Sequence, residues 1–370
     1  MDMECLEYGI VRYGTPLYIL NIDEMRKNVQ DFRRVFKDKA GLCFAMKANP
    51  FLVSQMEAVV DRIEVCSIGE FEICKAHRIP PEKVLVSGVL KKKEDIYQIL
   101  DYYRGKCTYT VESLNQFYCF VDWCRVNNEV IHVYLRLTSG NQFGMDKEII
   151  QNIIEVRKMC PFLKIQGIQY FTGTQKKKAE KIKKELEYLD LFCKEVEEET
   201  GFQLEELEYG PGISVAYFEG QKDTMKNDIS VLAEAVSKMQ WKGSVMLEMG
   251  RALAASCGYY LTGVCDIKQN DGKNYCIVDG GIHHMNYDGQ IRGMYQPLFR
   301  VNPEHENGKP QEWVVCGALF TSNDVLMQKA VIKDLRIGNV IIFERAGAYS
   351  MTEGMALFLS HALPKVTFYV

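Results

Sequence analysis

Two periods of hydrophobic and polar positions alternate along the chain between residues 42 and 249. Helical spacing appears in the connecting stretches and is clearest over 178–199, where Ile182, Leu186 and Leu189 share a face opposite charged residues. Eight short apolar runs without that spacing predict buried strands, at 42–48, 62–67, 84–88, 108–112, 131–137, 165–171, 206–211 and 244–249. This strand–helix alternation favours a closed parallel (β/α)8 barrel, of the TIM-like kind, over an open sheet.

The regions on either side of this alternation have a different pattern. Residues 14–20 predict a turn and a strand, and Asp23 is the predicted N-cap of a helix that ends near Phe36. After about Gly258, glycine-containing turns separate runs that predict strands, and a helix is predicted only at 353–360. The predicted strands span 259–267, 275–279, 313–319 and 340–343. We therefore expect a barrel domain over 21–258 and a mainly antiparallel β domain over 259–370.

Composition and charge exclude several classes of protein. The chain has 370 residues, of which 47% are hydrophobic and 25% charged, and its net charge of −4 offers no basic field for a nucleic acid. No apolar run approaches the roughly 20 residues of a membrane span, and the acidic start of the chain lacks the form of a signal peptide. The 13 cysteines are odd in number and lack Cys-x-x-Cys spacing, which argues against disulfides and a zinc site. We expect a soluble, cytoplasmic protein without a metal.

Lys47 is the first candidate for chemistry, because it stands at the end of the strand predicted at 42–48. Burial of an unpaired ammonium is costly and lowers its pKa. A neutral amine in such a place can attack an aldehyde and form a Schiff base. A lysine at a strand end that simply reaches solvent is the alternative, and the residues around Lys47 decide between the two.

The run Phe-Ala-Met-Lys-Ala-Asn at 44–49 resembles the lysine motif of fold-type III enzymes that use pyridoxal 5′-phosphate (PLP). These alanine racemase-like barrels include the ornithine, arginine and diaminopimelate decarboxylases. The resemblance covers about residues 14–366 and implies that Lys47 holds PLP as a Schiff base. It also implies a homodimer with shared active sites, and an N-terminal segment, residues 1–20, that joins the β domain.

Glu248 is the feature that separates two activities of these enzymes. The run Glu-Met-Gly-Arg at 248–251 resembles the family's Glu-Pro-Gly-Arg, with methionine in place of proline. An anionic partner keeps the pyridine nitrogen of PLP protonated and makes the cofactor a strong electron sink, whereas the racemases place an arginine there. The resemblance therefore implies a decarboxylase in which Lys47 and Glu248 are catalytic.

Other strand ends resemble the family's cofactor-binding positions. Glycines at a strand-to-helix turn, as in Gly-Pro-Gly at 210–212, let backbone N–H groups approach a phosphate. Phe171 stands where the family has a histidine that stacks on the cofactor ring, and Ala-Gly-Ala-Tyr at 346–349 matches the family's motif. The resemblance assigns cofactor contacts to Lys47, Arg136, Phe171, Thr174, Gly210, Gly212, Glu248, Gly250, Arg251 and Tyr349.

The β domain carries the residues expected to meet the substrate. Asp279 opens Asp-Gly-Gly-Ile-His-His at 279–284, which resembles a segment that faces the partner subunit's active site, and Asp324 matches a family aspartate expected to be catalytic. Adjacent histidines on a strand point to opposite faces, and no third ligand follows at a telling spacing, so no metal is expected. Phe320 replaces the family's cysteine, which protonates the substrate carbon after CO₂ leaves. Substrate contacts are expected from Asp279, His283, Arg292, Tyr295 and Phe320.

Together these matches imply a PLP-dependent decarboxylase of an amino acid or an amino-acid derivative. Uncharged Thr321, Ser322 and Asn323 follow Phe320, which makes a free basic diamino acid less expected. The Asp-Gly-Gly-x-His-His form resembles decarboxylases of biosynthetic clusters, some of which act on amino acids tethered to carrier proteins. A racemase or epimerase of the same fold is the alternative among enzymes. The replaced cysteine and histidine also leave open a non-catalytic, PLP-binding or regulatory relative.

Overall fold

The computed structural model describes residues 1–305 and 307–370. The chain starts with helix α1 (Met3–Tyr13), strand β1 (Leu17–Asn21) and helix α2 (Ile22–Phe36). Asn21 caps α2, since its side chain accepts a hydrogen bond from the backbone N–H of Glu24 at 3.0 Å. The predicted cap at Asp23 is therefore wrong, because Asp23 already lies in the first turn of the helix. The sequence patterns did not predict α1.

Eight parallel strands then close into a barrel in which the last strand pairs with the first. They lie where the apolar runs predict them, at β2 (Gly41–Ala45), β3 (Arg62–Val65), β4 (Val84–Val86), β5 (Thr108–Val111), β6 (Ile131–Leu137), β7 (Leu163–Phe171), β8 (Glu206–Gly210) and β9 (Ser244–Met249). The helices between them are α3 (Val53–Glu57), α4 (Ile68–Ala76), α5 (Lys93–Tyr103), α6 (Leu114–Asn127), α7 (Lys147–Glu155), α8 (Ala179–Thr200) and α9 (Met225–Lys238). The predicted (β/α)8 barrel is confirmed, and α8 buries the predicted apolar face.

The second sheet is mainly antiparallel, as predicted, and contains eight strands. After the short helix α10 (Arg251–Ala254) come β10 (Gly258–Asn270), β11 (Lys273–Val278), β12 (Phe299–Asn302), β13 (Pro310–Cys316), β14 (Val325–Lys333), β15 (Val340–Phe343) and β16 (Lys365–Tyr369). The long strand β10 is central, because it pairs with β1, β11 and β15. The helix predicted at 353–360 is wrong: turns and a single 3-10 turn, Phe358–Ser360, occupy that stretch.

The chain forms two compact units. The barrel unit comprises residues 29–214 and 224–250, and the β unit comprises 1–28, 215–223 and 251–370. In the β unit, Leu6 of α1 packs in one buried cluster with Ile19 of β1, Leu261 of β10 and Ile342 of β15. This apolar cluster explains why residues at the start of the chain fold with strands at its end.

Two further findings concern membrane-spanning helices and the state of the cysteines. Among the described residues, no helix is both long enough and apolar enough to cross a membrane. Each of the 13 cysteines is a free thiol.

A buried ion-pair network fills part of the barrel interior. Arg62, at the start of β3, donates to Glu206 and Glu208 of β8 at 2.9 Å each and to the hydroxyl of Tyr134 at 2.8 Å. Glu208 is fully buried. Burial raises the pKa of Glu208 to about 8, although the nearby Arg62 opposes this shift. The network therefore depends on a single guanidinium that compensates two carboxylates.

Replacing Arg62 by methionine should lower the free energy of unfolding by roughly 3–5 kcal/mol, because Glu208 would remain buried without its cation. Denaturant unfolding at pH 8 and pH 5 measures this loss. A raised pKa means that the folded state keeps a proton that the unfolded chain releases, so the loss should be smaller at pH 5. Arg26→Met removes only an exposed pair with Asp23 and should cost roughly 0–1 kcal/mol. Equal losses in the two variants would contradict the burial argument.

Candidate active site

Lys47 lies in a 3-10 turn, Met46–Ala48, at the end of the barrel where the carboxyl ends of the strands meet. Its side chain is 39% exposed. Its Nζ donates to Glu64 Oε2 at 2.5 Å and to Glu248 Oε1 at 3.2 Å. The ammonium is therefore paired with two carboxylates, whereas the sequence argument started from an unpaired one.

The two carboxylates around Lys47 are buried but differ in their tendency to hold a proton. Burial raises the pKa of Glu64, but the ammonium of Lys47 outweighs burial and the net pKa is lowered. Burial, and next the negative charge of Glu64, raise the pKa of Glu248 to about 7 against the opposing effect of Lys47. Glu64 is therefore ionised at neutral pH, and Glu248 can take up or release a proton there.

Gln169 fixes the second oxygen of Glu248. Its side chain is buried on β7, and Nε2 donates to Glu248 Oε2 at 3.2 Å. Lys47 and Gln169 thus hold the two oxygens of Glu248 separately. Neither Gln169 nor Glu64 was among the predicted site residues, although the run at 64–70 resembles a family motif that begins with aspartate. The pairing register of β2, β3, β7 and β9 brings both side chains to Lys47 and Glu248.

A second charged cluster lies at the ends of β4, β5 and β6. Arg136 is buried and pairs with Glu112 at 3.0 Å, while its guanidinium lies over the ring of Phe143 at 4.9 Å. Lys91 follows β4 and donates to Thr110 Oγ1 at 3.3 Å. Burial lowers the pKa of Lys91 to about 8, although Glu112 opposes this shift. Arg136 therefore lies in the barrel interior as predicted, with Glu112 and Lys91 as neighbours that the sequence argument missed.

The turns after β7 and β8 pack closely against each other. Gly212 has a φ of +62°, and a Cβ there would lie 2.1 Å from the carbonyl oxygen of Gly173. A Cβ on Gly210 would lie 2.5 Å from the ring of Phe171. Thr174 follows Gly173 in the same turn. The structure thus brings Phe171, Thr174, Gly210 and Gly212 together, and both glycines are required by close approach.

The remaining predicted cofactor residues lie around Gly250, which follows β9, and within the β unit. Arg251 donates to the hydroxyl of Tyr217 at 2.8 Å and lies over the ring of Tyr349 at 4.6 Å. Asp288 is 3.7 Å from the same guanidinium. Arg251 and Tyr349 are therefore neighbours, as a shared role at a phosphate requires.

Asp279 and Asp324 both hydrogen-bond within the β unit. Asp279 accepts from Thr262 Oγ1 at 2.7 Å and from the backbone of Gly263 at 2.9 Å. Asp324 accepts from the backbone N–H groups of Ile282 and Leu319, each at 2.8 Å. Both carboxylates organise loops of their own chain, and a catalytic role of Asp324 stays a prediction.

The two adjacent histidines lie in a turn, so the prediction that they point to opposite faces of a strand is wrong. The ring centroids of His283 and His284 are 3.8 Å apart, and His361 lies 5.0 Å from His283. His283 is 1% exposed, and burial lowers its pKa to about 4, so its ring is neutral at neutral pH. No group of three or more histidine, cysteine, aspartate or glutamate residues in the described chain could hold a metal.

Phe320, Arg292 and Tyr295 lie on neighbouring loops of the β unit. Phe320 is 96% exposed. Arg292 Nε donates to Asn323 Oδ1 at 2.6 Å, which joins the loop around 292 to the loop around 320. Tyr295 is exposed on the first of these loops, so the three predicted substrate residues share one surface.

Comparison with known proteins identifies the family of this chain. The sequence profile described as "Pyridoxal-dependent decarboxylase, pyridoxal binding domain" matches residues 22–255. The chain belongs to this family. Its cofactor is PLP, and the fold-type III resemblance of the lysine motif is confirmed.

Relatives extend the similarity over nearly the whole chain. The L-glutamyl-[BtrI acyl-carrier protein] decarboxylase of Niallia circulans is 23% identical, over 95% of this chain and 88% of that protein. The diaminopimelate decarboxylase of Methanocaldococcus jannaschii is also 23% identical, over 92% of this chain and 83% of that protein. The lysine/ornithine decarboxylase structure from Vibrio vulnificus superposes with a TM-score of 0.87 at 21% identity, over 100% of this chain and 98% of that one.

The residues present fit PLP. Glu248 accepts a hydrogen bond from a cationic nitrogen, Lys47 Nζ, and can do the same for a protonated pyridine nitrogen. Gly212 lets the turn after β8 pack against the turn after β7, where a side chain would clash, and glycine-containing turns at strand-to-helix junctions are common phosphate sites. Lys47 would hold the aldehyde end, Glu248 the ring nitrogen, and the turns after β7 and β8 the phosphate.

Gly212→Ala should weaken PLP binding by about 10-fold or more, because the added methyl group forces the two phosphate-side turns apart. Fluorescence titration of the cofactor-depleted protein measures the dissociation constant. Gly201→Ala is the matched control, since Gly201 has a φ of +61° but a Cβ added there would have no neighbour within 4 Å. Both variants should lose similar stability from backbone strain, Gly212→Ala should lose further stability from its clash with Gly173, and only Gly212→Ala should lose affinity. Equal affinities would contradict a phosphate site at this turn.

Proposed function

We propose that this decarboxylase removes the carboxyl group of an amino acid or amino-acid derivative, with Lys47 holding the cofactor as a Schiff base. The observation that carries the proposal is the position of Lys47 Nζ between Glu64 and Glu248. The names of relatives agree with it, since they include diaminopimelate and lysine/ornithine decarboxylases. A glutamate at position 248 disfavours the racemase alternative, in which an arginine stands opposite the ring nitrogen.

Each residue around Lys47 has a separate task in this reaction. When bound, PLP supplies the electron sink that accepts the electrons left by CO₂. Glu248 would accept a hydrogen bond from the ring nitrogen of the bound cofactor and so favour its protonated form. Gln169 keeps Glu248 oriented through its second oxygen. Glu64 holds a proton on Lys47 Nζ whenever that amine is free.

The predicted substrate surface favours a substrate whose far end is a carboxyl or acyl group. Thr321, Ser322 and Asn323 supply no negative charge for a distal ammonium. Arg292 is exposed beside them and is fixed through Nε to Asn323. A planar guanidinium pairs well with a carboxylate. The relative named for a glutamyl group on a carrier protein has a substrate of this class.

We further propose that the protein is a cytoplasmic homodimer with shared active sites. Its free thiols support a reducing compartment. Phe320 and Leu357 are 96% and 94% exposed, and Ile291, Met294 and Tyr295 add exposed apolar surface on the loop joined to that of Phe320. Exposed apolar side chains are typical of an interface where they form a patch, and a second copy of the chain is the proposed occupant.

Glu248→Gln should keep PLP on Lys47 but slow CO₂ release on the order of 100-fold, because a neutral amide cannot hold the ring nitrogen protonated. Absorbance, borohydride reduction and peptide mapping report the cofactor attachment. Mass spectrometry of amines formed from glutamate, lysine, ornithine and diaminopimelate reports the reaction. Glu155→Gln, on the exposed end of α7, is the control and should be silent. Native turnover by Glu248→Gln, or reduction onto another lysine, would overturn the assignment.

Heterodimers of a Lys47→Ala chain with an Asp324→Ala chain should have about one half of the native activity if two chains share each site, because one of their two sites is then intact. Asp324→Ala releases the loop around Phe320, since its carboxylate holds the backbone at Ile282 and Leu319. The activity of verified heterodimers is the measurement. Lys47→Ala mixed with Glu248→Gln is the control, because both residues lie in one barrel and no intact site can form. Verified heterodimers without activity would count against shared sites.

A further inference from the structure

A cluster of lysines begins α8, at the same end of the barrel as Lys47. Eight consecutive residues, 177–184, contain five exposed lysines and one glutamate, in a chain with a net charge of −4. We call this set the basic segment; its lysines are Lys177, Lys178, Lys181, Lys183 and Lys184. Its charge is opposite to that of the whole chain, so general solubility does not explain it.

The basic segment is poorly compensated within its own chain. Lys183 has a distant ion pair with Glu187, at 4.0 Å. Within residues 1–305 and 307–370, no carboxylate forms an ion pair with Lys177, Lys178, Lys181 or Lys184. Lys178 stands at the N-cap and makes no capping hydrogen bond. Positive charges at a helix N-terminus oppose the helix dipole, so this arrangement does not stabilise α8.

The basic segment is nevertheless held firmly against the candidate site. Lys176, which precedes it, is buried, and its backbone N–H donates to the carbonyl of Gly212 at 2.9 Å. Its Nζ pairs with Glu185 Oε2 at 2.5 Å. Glu185 also accepts hydrogen bonds from Thr172 and Tyr209, each at 2.6 Å. The basic segment therefore follows directly after a buried residue, Lys176, that is bonded to the turn after β8.

The size of the basic segment suits a docking contact with a folded protein. Its helical part, residues 179–184, is only about 10 Å long at a rise of 1.5 Å per residue. A duplex or an anionic membrane presents negative charge over a much larger surface, from which a chain of net charge −4 would be repelled. A partner with a small acidic face can contact the four uncompensated lysines with less electrostatic repulsion from the rest of the chain.

We propose that the basic segment docks the acidic face of a carrier protein that presents the amino acid to Lys47 on a flexible arm. This inference rests on the proposed function. The uncharged stretch 321–323 selects poorly for a free diamino acid, and a relative with 23% identity over 95% of the chain is named for a carrier-bound glutamyl substrate. Attraction between the lysines of the basic segment and the acidic carrier protein then raises the rate of association, and added salt weakens this attraction.

The test is a charge reversal at Lys177, Lys178, Lys181 and Lys184, each to glutamate. Substrates are the L-glutamyl thioester of an acidic bacterial acyl-carrier protein, the same thioester on pantetheine alone, and free L-glutamate. In the charge-reversed variant we expect kcat/KM for the carrier-bound substrate to fall roughly 10-fold or more, because KM rises. In the unmodified enzyme we expect the preference for the carrier-bound substrate over the pantetheine thioester to decrease at high salt. Rates with the two small substrates should change less than about twofold.

The control reverses Lys37, Lys106, Lys158 and Lys242, which are exposed and precede β2, β5, β7 and β9 at the opposite end of the barrel. It has the same change in charge and should leave all three substrates unaffected. A carrier-bound substrate that is no better than the pantetheine thioester would overturn the docking proposal and leave the decarboxylase proposal standing. An equal loss with all three substrates would also overturn docking, because the basic segment would then support only the site. Absence of CO₂ from all three glutamyl forms would overturn the docking proposal, and the decarboxylase proposal would fall with it only if lysine, ornithine and diaminopimelate also released no CO₂.

Discussion

The ammonium of Lys47 is the charge that allows two buried carboxylates to lie side by side at the end of the barrel. Two adjacent buried carboxylates cannot both ionise without a cation between them. The shorter contact, to Glu64, lowers the pKa of that residue, and Glu248 keeps a raised pKa. If the lysine nitrogen gives up its charge to bind an aldehyde, either Glu248 takes up a proton or another cation takes the place of the ammonium. A protonated ring nitrogen beside Glu248 would be such a cation.

Barrel closure is what makes this contact possible. Lys47 follows β2, Glu64 lies on β3 and Glu248 lies on β9, so the two carboxylates flank the lysine only because β2 pairs with both strands. The register places Cys43 opposite Glu248 and Ala45 opposite Glu64. In an open sheet of the same strand order, Glu248 would lie seven strands away from Lys47. The fold and the chemistry therefore depend on the same pairing of the last strand with the first.

Local patterns predicted what depends on neighbouring residues and missed what depends on tertiary contacts. The eight barrel strands, Lys47 and Glu248 could be recognised because apolar runs and short motifs carry their own signal. Gln169 and Glu112 could not, since their partners lie on other strands and only the register brings them together. The helix α1 was missed although part of its packing surface is nearby in β1, because its other packing partners are in β10 and β15, more than 240 residues later. The helix predicted at 353–360 is absent for a related reason, because the spacing of apolar residues stabilises a helix only where another element packs against its apolar face.

The departures from the family pattern occur on both sides of the reaction: Phe171 replaces a histidine on the cofactor side, and Phe320 replaces a cysteine on the substrate side. The charged residues Lys47, Glu64 and Glu248 nevertheless form a compensated set in the barrel. The changed residues on the substrate side, Phe320 and the uncharged stretch after it, lie on loops that the fold resemblance assigns to the substrate. If the protein had lost its function, we would expect substitutions among Lys47, Glu64 and Glu248, because buried carboxylates destabilise the fold once their cation is gone. Retention of that set, with altered substrate loops, favours a change of substrate over a loss of catalysis.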